Sequence, residues 1–148
     1  MDKLNEWVNS VERLDWDSYY AGIALLASAR SPCKRLRVGC ILVKDKRVIS
    51  CGYNGFLPNC MHKSIVRDDH EQAISHAESN CVANAARNGV ATIDSIAYIT
   101  HHPCVNCYKL LVSAGVKKIY YINDYKNDEI VATLVENSGV GVEKMINR

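Results

Sequence analysis

His76-Ala77-Glu78 and Pro103-Cys104-Val105-Asn106-Cys107 decide how the rest of the chain reads. Each stretch stands where a helical pattern begins, and together they bring one imidazole, two thiols and a carboxylate. Those are the groups that a zinc centre able to activate water requires. Cys104 and Cys107 lie one turn apart on a helix starting at Pro103, so both sulfurs fall on one face of its first turn and can hold one ion. The unpaired N–H groups and partial positive charge of a helix N-terminus favour thiolate over thiol. His76 adds a third ligand and leaves the fourth position to water. Glu78 reads as the general acid and base beside that position, not as a ligand. A C-x-x-C alone also serves redox chemistry and structural zinc, whereas the joint pattern with each half at a helix start is far more specific.

The chain has 148 residues, enough to bury a core without disulfides, and residues 1–148 read as a single domain. Its seven cysteines would suit a disulfide framework in a secreted protein. Residues 1–14 are charged and amphipathic, however, with no apolar signal segment, so a reducing cytoplasmic setting and metal ligation are expected. No apolar run approaches the length of a membrane span. A formal net charge of +2 does not support a phosphate-tracking surface. It argues against a long nucleic-acid substrate and leaves room for a small phosphorylated one.

Working outward, Leu4, Trp7, Val8, Val11 and Leu14 recur at helical spacing and predict a short amphipathic helix packed on the body or on a partner. Asp17-Ser18 caps a predicted helix over 18–29, which Ser31-Pro32 ends. Runs 37–43 and 47–52, separated by Lys44-Asp45-Lys46, predict a β-hairpin. It delivers Gly52-Tyr53-Asn54-Gly55, whose glycines suggest that the backbone approaches something closely. Asn54 offers a donor and an acceptor there, though an ordinary Asn-Gly turn explains the same residues. After the central helix (75–88), strands at 95–100, 118–122 and 140–144 alternate with helices at 104–114 and 127–137. This order predicts an α/β domain with helices covering both faces of a mixed sheet. Cys40, Cys51 and Cys81 fall in apolar patterns and read as small core residues.

Between Phe56 and Ser75 the periodicity fails for a length at which a structureless loop is functional, disordered or held by something other than a core. Cys60, His62 and His70 lie inside it, and with Cys33 they could form a second, structural Cys2His2 zinc site. Solvated loop histidines explain the same residues. Lys34, Arg35 and Arg37 form the densest basic cluster and are candidates for a phosphate, with a solvated charged surface as the alternative. His101 and His102 border the proposed ligands, so one of them is placed to line the pocket.

H-x-E followed by P-C-x-x-C is the known signature of the zinc nucleobase deaminases. With Ser31-Pro32-Cys33, Val38-Gly39-Cys40-Ile41-Leu42-Val43, Gly52-Tyr53-Asn54-Gly55, Asn80 and Thr100 through Cys107 in order and spacing, the chain from about Ser18 onward resembles the deoxycytidylate deaminases of the cytidine deaminase superfamily. The resemblance implies a three-layer α/β/α sandwich around a five-stranded mixed sheet, commonly a homohexamer. It implies zinc on His76, Cys104 and Cys107, with Glu78 as proton shuttle. It further implies hydrolytic deamination of dCMP to dUMP, a dTMP precursor. Asn54 would hold the sugar hydroxyl and the Ala77 N–H the pyrimidine carbonyl, while Thr100, His101 and His102 would wall the base. Some members carry a second zinc at positions matching Cys33, Cys60 and a histidine. Several respond to dCTP and dTTP, with Mg2+ accompanying the triphosphate, through the region holding Tyr53 and Gly55 at a subunit contact. Cys40 and His102 depart from the family pattern, where alanine and a serine or aromatic residue are usual.

Two rivals remain open at this point. One is the same chemistry on a free nucleoside, on dCTP or on adenosine in transfer RNA. The other is a structural zinc module, which Glu78 disfavours because a closed site has no use for a carboxylate beside an open position.

Overall fold

Ile41, Val43 and Tyr98 pack on one side of the central sheet, while Cys40, Leu42, Ala97 and Ile99 pack on the other. This is the period-two alternation of strands covered on both faces. The computed structural model describes residues 1–146, and Asn147 and Arg148 lie outside the described residues. The helices are α1 (Asp2–Ser10), α2 (Trp16–Ser28), α3 (Ala77–Arg87), α4 (Val105–Ser113) and α5 (Glu129–Ser138). The main strands are β1 (Gly39–Lys44), β2 (Arg47–Tyr53), β7 (Ile96–His101), β8 (Lys118–Asn123) and β9 (Gly141–Lys144). They form one five-stranded sheet in the order β2-β1-β7-β8-β9. β1 is antiparallel to β2 and β7, whereas β7, β8 and β9 run parallel, so the sheet is mixed as expected.

Helix α2 covers one face, with Tyr20 and Ala24 against Ile41, Val43 and Tyr98. Helices α3, α4 and α5 cover the other, where Ala77, Cys81, Tyr108, Leu111 and Val131 meet Cys40, Leu42, Ala97, Ile99 and Ile119. The three-layer α/β/α sandwich follows. Small residues set the spacing of the layers. A Cβ on Gly39 would stand 2.0 Å from the Ala24 carbonyl oxygen, and one on Gly52 would stand 2.4 Å from the Cys81 nitrogen. α2 and α3 therefore touch the hairpin backbone directly. Gly55 is different, since its nearest contacts would be an ordinary 3.5 Å. The close approach expected of the pair of glycines belongs to Gly52 alone.

Local chemistry explains most element ends. The cap of α2 is Asp15, which accepts from the Ser18 N–H at 2.8 Å, so the helix begins earlier than the predicted Asp17-Ser18 cap. The hairpin turns on Asp45 and Lys46, both with positive φ (50° and 61°), which matches the right-handed twist of the flanking strands.

Three expectations are corrected. α1 buries none of its residues, and Leu4, Trp7, Val8, Val11 and Leu14 stay exposed, which sets aside packing on the body of this chain and leaves the partner half of that expectation. Cys51 is exposed, because β2 is an edge strand and the Cys51 side chain points away from α3, where Ser50 and Gly52 lie. The stretch 56–75 is not structureless: β3 (Gly55–Phe56) pairs with β6 (Ile74–Ser75), and β4 (Val66–Arg67) pairs with β5 (His70–Glu71). The Glu71 carboxylate ties this loop by accepting from the Ile65 and Ala73 N–H groups and from Ser64.

Candidate active site

Because β1 is antiparallel to both β2 and β7, the C-terminal ends of β2, β7 and β8 lie along one edge of the sheet. Ligands gather at such an edge in α/β folds. Both chemistry-bearing stretches arrive there. His76 caps α3, and Cys104 caps α4, with its sulfur accepting from the Cys107 N–H at 3.5 Å. α3 is fixed against β2 by Gly52 beneath it, by the Ser50 hydroxyl donating to the Cys81 carbonyl at 2.6 Å, and by the Asn80 amide donating to the Tyr53 carbonyl at 2.8 Å.

These helix starts bring His76, Cys104 and Cys107 together, with one ligand atom of each within 4.8 Å of the others. His76 Nδ1 lies 3.6 Å from the Cys104 sulfur and 3.3 Å from the Cys107 sulfur. Tetrahedral zinc with its usual bond lengths needs ligand atoms about 3.5–3.8 Å apart, so the donor set and its spacing fit the ion. Among the described residues no fourth His, Cys, Asp or Glu joins the three, and three protein ligands are the set of a catalytic zinc site. Hydrogen bonds from Cys107 and His76 hold the Cys104 thiol down at about 4. The same contact with Cys104, together with burial, pushes the Cys107 thiol up, and Cys104 raises His76. Cys104 and Cys107 would both hold a zinc ion as thiolates, in place of this sharing.

Glu78 is only 4 % exposed, and burial raises its carboxyl above the ordinary value, while its own backbone N–H and Cys107 pull the other way. It lies against Cys107 and outside the ligand group. Ala77 is fully buried and opens α3, so its N–H has no acceptor within the helix. Thr100 is buried, and its hydroxyl accepts from the Gly39 N–H at 3.1 Å and meets His101 Nδ1 at 2.8 Å. Burial lowers both His101 and His102, which favours neutral rings at this edge.

Asn54 is already engaged. Its Oδ1 accepts from the Val38 N–H at 2.8 Å, and its amide donates to the Leu36 carbonyl at 2.8 Å. It therefore ties segment 31–38, which carries exposed Lys34, Arg35 and Arg37, to the end of β2. Each Asn54 group keeps one further hydrogen-bonding site. Among the described residues only His76, Cys104 and Cys107 form a metal-sized cluster. Cys33, Cys60, His62 and His70 are not gathered in this way, and His62 instead stacks on Phe56 at 4.9 Å.

Sequence reasoning passed over Tyr125 and Lys126. Tyr125 meets His101 edge-on at 6.1 Å, and Lys126 Nζ lies 5.6 Å from the Tyr125 ring centre. The signal was available: they follow β8, whose end lies beside that of β7 in a parallel pair.

Residues 14–123 match the family model of the cytidine and deoxycytidylate deaminase zinc-binding region. ComE operon protein 2 of Bacillus subtilis is 38% identical over 139 residues, covering 91% of this chain and 74% of that protein. The deoxycytidylate deaminase of Saccharomyces cerevisiae is 32% identical, covering 97% of this chain but only 49% of its own length. The dCMP deaminase of cyanophage S-TIM5, in its complex with dCMP and dUMP, superposes with a TM-score of 0.79 at 34% identity, over 91% of this chain and 100% of that one. No helix among the described residues is long and apolar enough to cross a membrane. With residues 14–123, well over half of the chain, matched to the zinc-binding region and the His-Cys-Cys cluster formed, this chain belongs to the cytidine and deoxycytidylate deaminase family.

Proposed function

We propose that this chain is a zinc-dependent deaminase that converts dCMP to dUMP and ammonia, a step toward dTMP. The observation that carries the reading is buried Glu78 beside the His76-Cys104-Cys107 cluster, in a chain that superposes on an enzyme crystallised with dCMP and dUMP. Zinc on these three residues would supply the Lewis acidity that brings the pKa of a water toward neutrality. Glu78 takes one proton of the attacking water and passes it to N3 of the ring, then takes the second proton from the same oxygen, now on C4, and hands it to the amino group, which leaves C4 as ammonia. Its burial suits both halves of this task, since a carboxyl raised toward the working pH accepts and returns a proton readily. At the start of α4 the Cys107 N–H donates to the Cys104 sulfur, which favours its thiolate.

Asn54, the Ala77 N–H and the Thr100–His102 segment are assigned to sugar and base. Lys34, Arg35 and Arg37 are assigned to the phosphate, with Tyr125 and Lys126 added to them. The test is ammonia release by zinc-loaded protein from deoxycytidine, dCMP, dCTP and an adenosine-bearing RNA stem-loop. A preference for dCMP is expected. Reaction of the RNA alone would overturn the substrate, and zinc binding with no reaction at all would favour the structural module.

The same proposal includes a homohexamer working in the cytoplasm, and control by dCTP and dTTP with Mg2+ through the Tyr53–Gly55 region. A structural zinc on Cys33, Cys60, His62 and His70 also belongs to it. That second site is supported by four donors on or beside an exposed segment with little apolar burial of its own, and it requires those side chains to rotate toward one another. Two zinc ions per chain are expected by elemental analysis for the wild type and one for Cys60→Ser; one in both would remove the second site.

A further inference from the structure

Thr100 and His101 share a hydrogen bond whose direction their neighbours decide. Thr100 is 1% exposed and stands one step beyond the Cys40–Ile99 pair, where the β1–β7 ladder ends. Its hydroxyl oxygen accepts from the Gly39 N–H at 3.1 Å and lies 2.8 Å from His101 Nδ1. Among the described residues these are the two partners of that hydroxyl. The N–H can only donate, so the hydroxyl has one acceptor for its own proton, and that is Nδ1. A neutral imidazole that accepts on one nitrogen carries its proton on the other. His101 is therefore the Nε2–H tautomer. The Thr100 carbonyl accepts from the Asn123 amide at 3.0 Å, which fixes the same residue from the β8 side, and burial favours the neutral His101 ring.

The second nitrogen is the one left for a ligand. Ala97, Ile99 and His101 alternate onto one face of β7. Ala97 and Ile99 pack there against α3 and α4, the helices whose starts carry the zinc cluster. His101 is partly exposed, and among the described residues its Nε2 has no hydrogen-bond partner. It meets Tyr125 edge-on at 6.1 Å. That residue is held by its own N–H, which donates to Asn127 Oδ1 at 3.0 Å, and Lys126 Nζ lies 5.6 Å from its ring centre. Tyr125 and Lys126 are assigned to the phosphate, so His101 stands at that end of the pocket. An Nε2–H would donate to an anionic oxygen there, whereas the other tautomer would turn a lone pair on it and repel it.

We propose that Thr100 is a positioning residue that holds His101 as its Nε2–H tautomer, and that this N–H donates to a phosphate oxygen of the substrate nucleotide. His101 thereby passes from the wall of the base to the phosphate end of the pocket, and the pair helps to select a nucleotide over a nucleoside. The inference rests on the reading of the chain as a dCMP deaminase.

The test uses the full zinc-loaded chain and has two readouts. Nitrogen NMR of the histidine rings, with the His101 signals assigned by their loss in His101→Ala, reads the tautomer without ligand. Wild type and Thr100→Ser should carry the His101 proton on Nε2, and Thr100→Val should show both tautomers. In the Glu78→Gln chain, where nothing is turned over, dCMP should move the Nε2–H signal and deoxycytidine should not. Steady-state ammonia release gives the second readout. Thr100→Val and His101→Ala should each lower the ratio of kcat/KM for dCMP to that for deoxycytidine by about tenfold, mostly through KM, as the loss of one charge-assisted hydrogen bond does. Thr100→Ser should restore the ratio. If Thr100→Val does not fold, the wild-type spectrum and His101→Ala still decide the matter. A His101 proton on Nδ1 in wild type, or a ratio unmoved in His101→Ala, would overturn this inference while deamination of dCMP stood. No ammonia from dCMP with wild type would instead remove the underlying reading, and the phosphate contact with it.

Discussion

Replacing Glu78 by glutamine is expected to leave the zinc content at the wild-type level and to cut turnover by about 10²–10⁴-fold, the range of a lost general acid–base. The two halves of the result come from different features. Zinc is retained because the cluster is His76, Cys104 and Cys107 alone, and glutamine keeps the shape of the side chain at a position that is 4 % exposed. Turnover is lost because an amide cannot accept the water proton and return it to the leaving amine. Elemental analysis alongside ammonia release separates this from the outcome of Cys107→Ser, in which zinc and activity fall together. Residual activity within a few-fold of wild type would remove Glu78 from the chemistry.

Gly52→Ala is expected to lower the melting temperature by about 5–10 °C, as a 2–3 kcal/mol overpacking penalty does in a chain of this size. The added methyl would meet the Cys81 nitrogen at 2.4 Å and the Ala77 carbonyl oxygen at 2.5 Å. Those are backbone atoms of α3 and cannot swing aside as a side chain can. The helix has to lift from β2, and the Ser50–Cys81 and Asn80–Tyr53 hydrogen bonds lengthen with it. Since α3 carries Glu78 in its first turn and His76 as its cap, zinc affinity and turnover should fall along with stability. Gly55→Ala, three residues away, is the matched control. Its nearest contacts would be 3.5 Å, so a change of less than about 0.5 kcal/mol is expected. Thermal unfolding of the two variants side by side decides whether the close approach belongs to Gly52 alone.

The metal cluster was legible in the sequence because its geometry is local. One helical turn fixes Cys104 against Cys107, and a helix start fixes the relation of His76 to Glu78. The hairpin and the alternation of helix and strand were legible for the same reason, since period and turn chemistry act over a few residues. What depends on distant partners was not. Cys51 sits in an apolar run that suggests a core position, yet its exposure follows from the edge place of β2, which only the strand order determines. The carboxyl and amide groups of Asp15 and Asn54 could each serve several neighbours, and packing chose the Ser18 N–H for one and the Leu36–Val38 backbone for the other. The stripe of α1 was read correctly as amphipathic, but a stripe does not say what covers it. Segment 56–75 lacked periodicity because its pairings are two residues long, too short to repeat.

The most direct test of the account is the release of ammonia and dUMP from dCMP by the chain stripped of metal and then reloaded with one equivalent of zinc. The account predicts no turnover in the stripped protein, recovery on adding zinc, and equal amounts of ammonia and dUMP throughout. Full activity without zinc, or a reloaded cluster that binds the metal and leaves dCMP untouched, would contradict it.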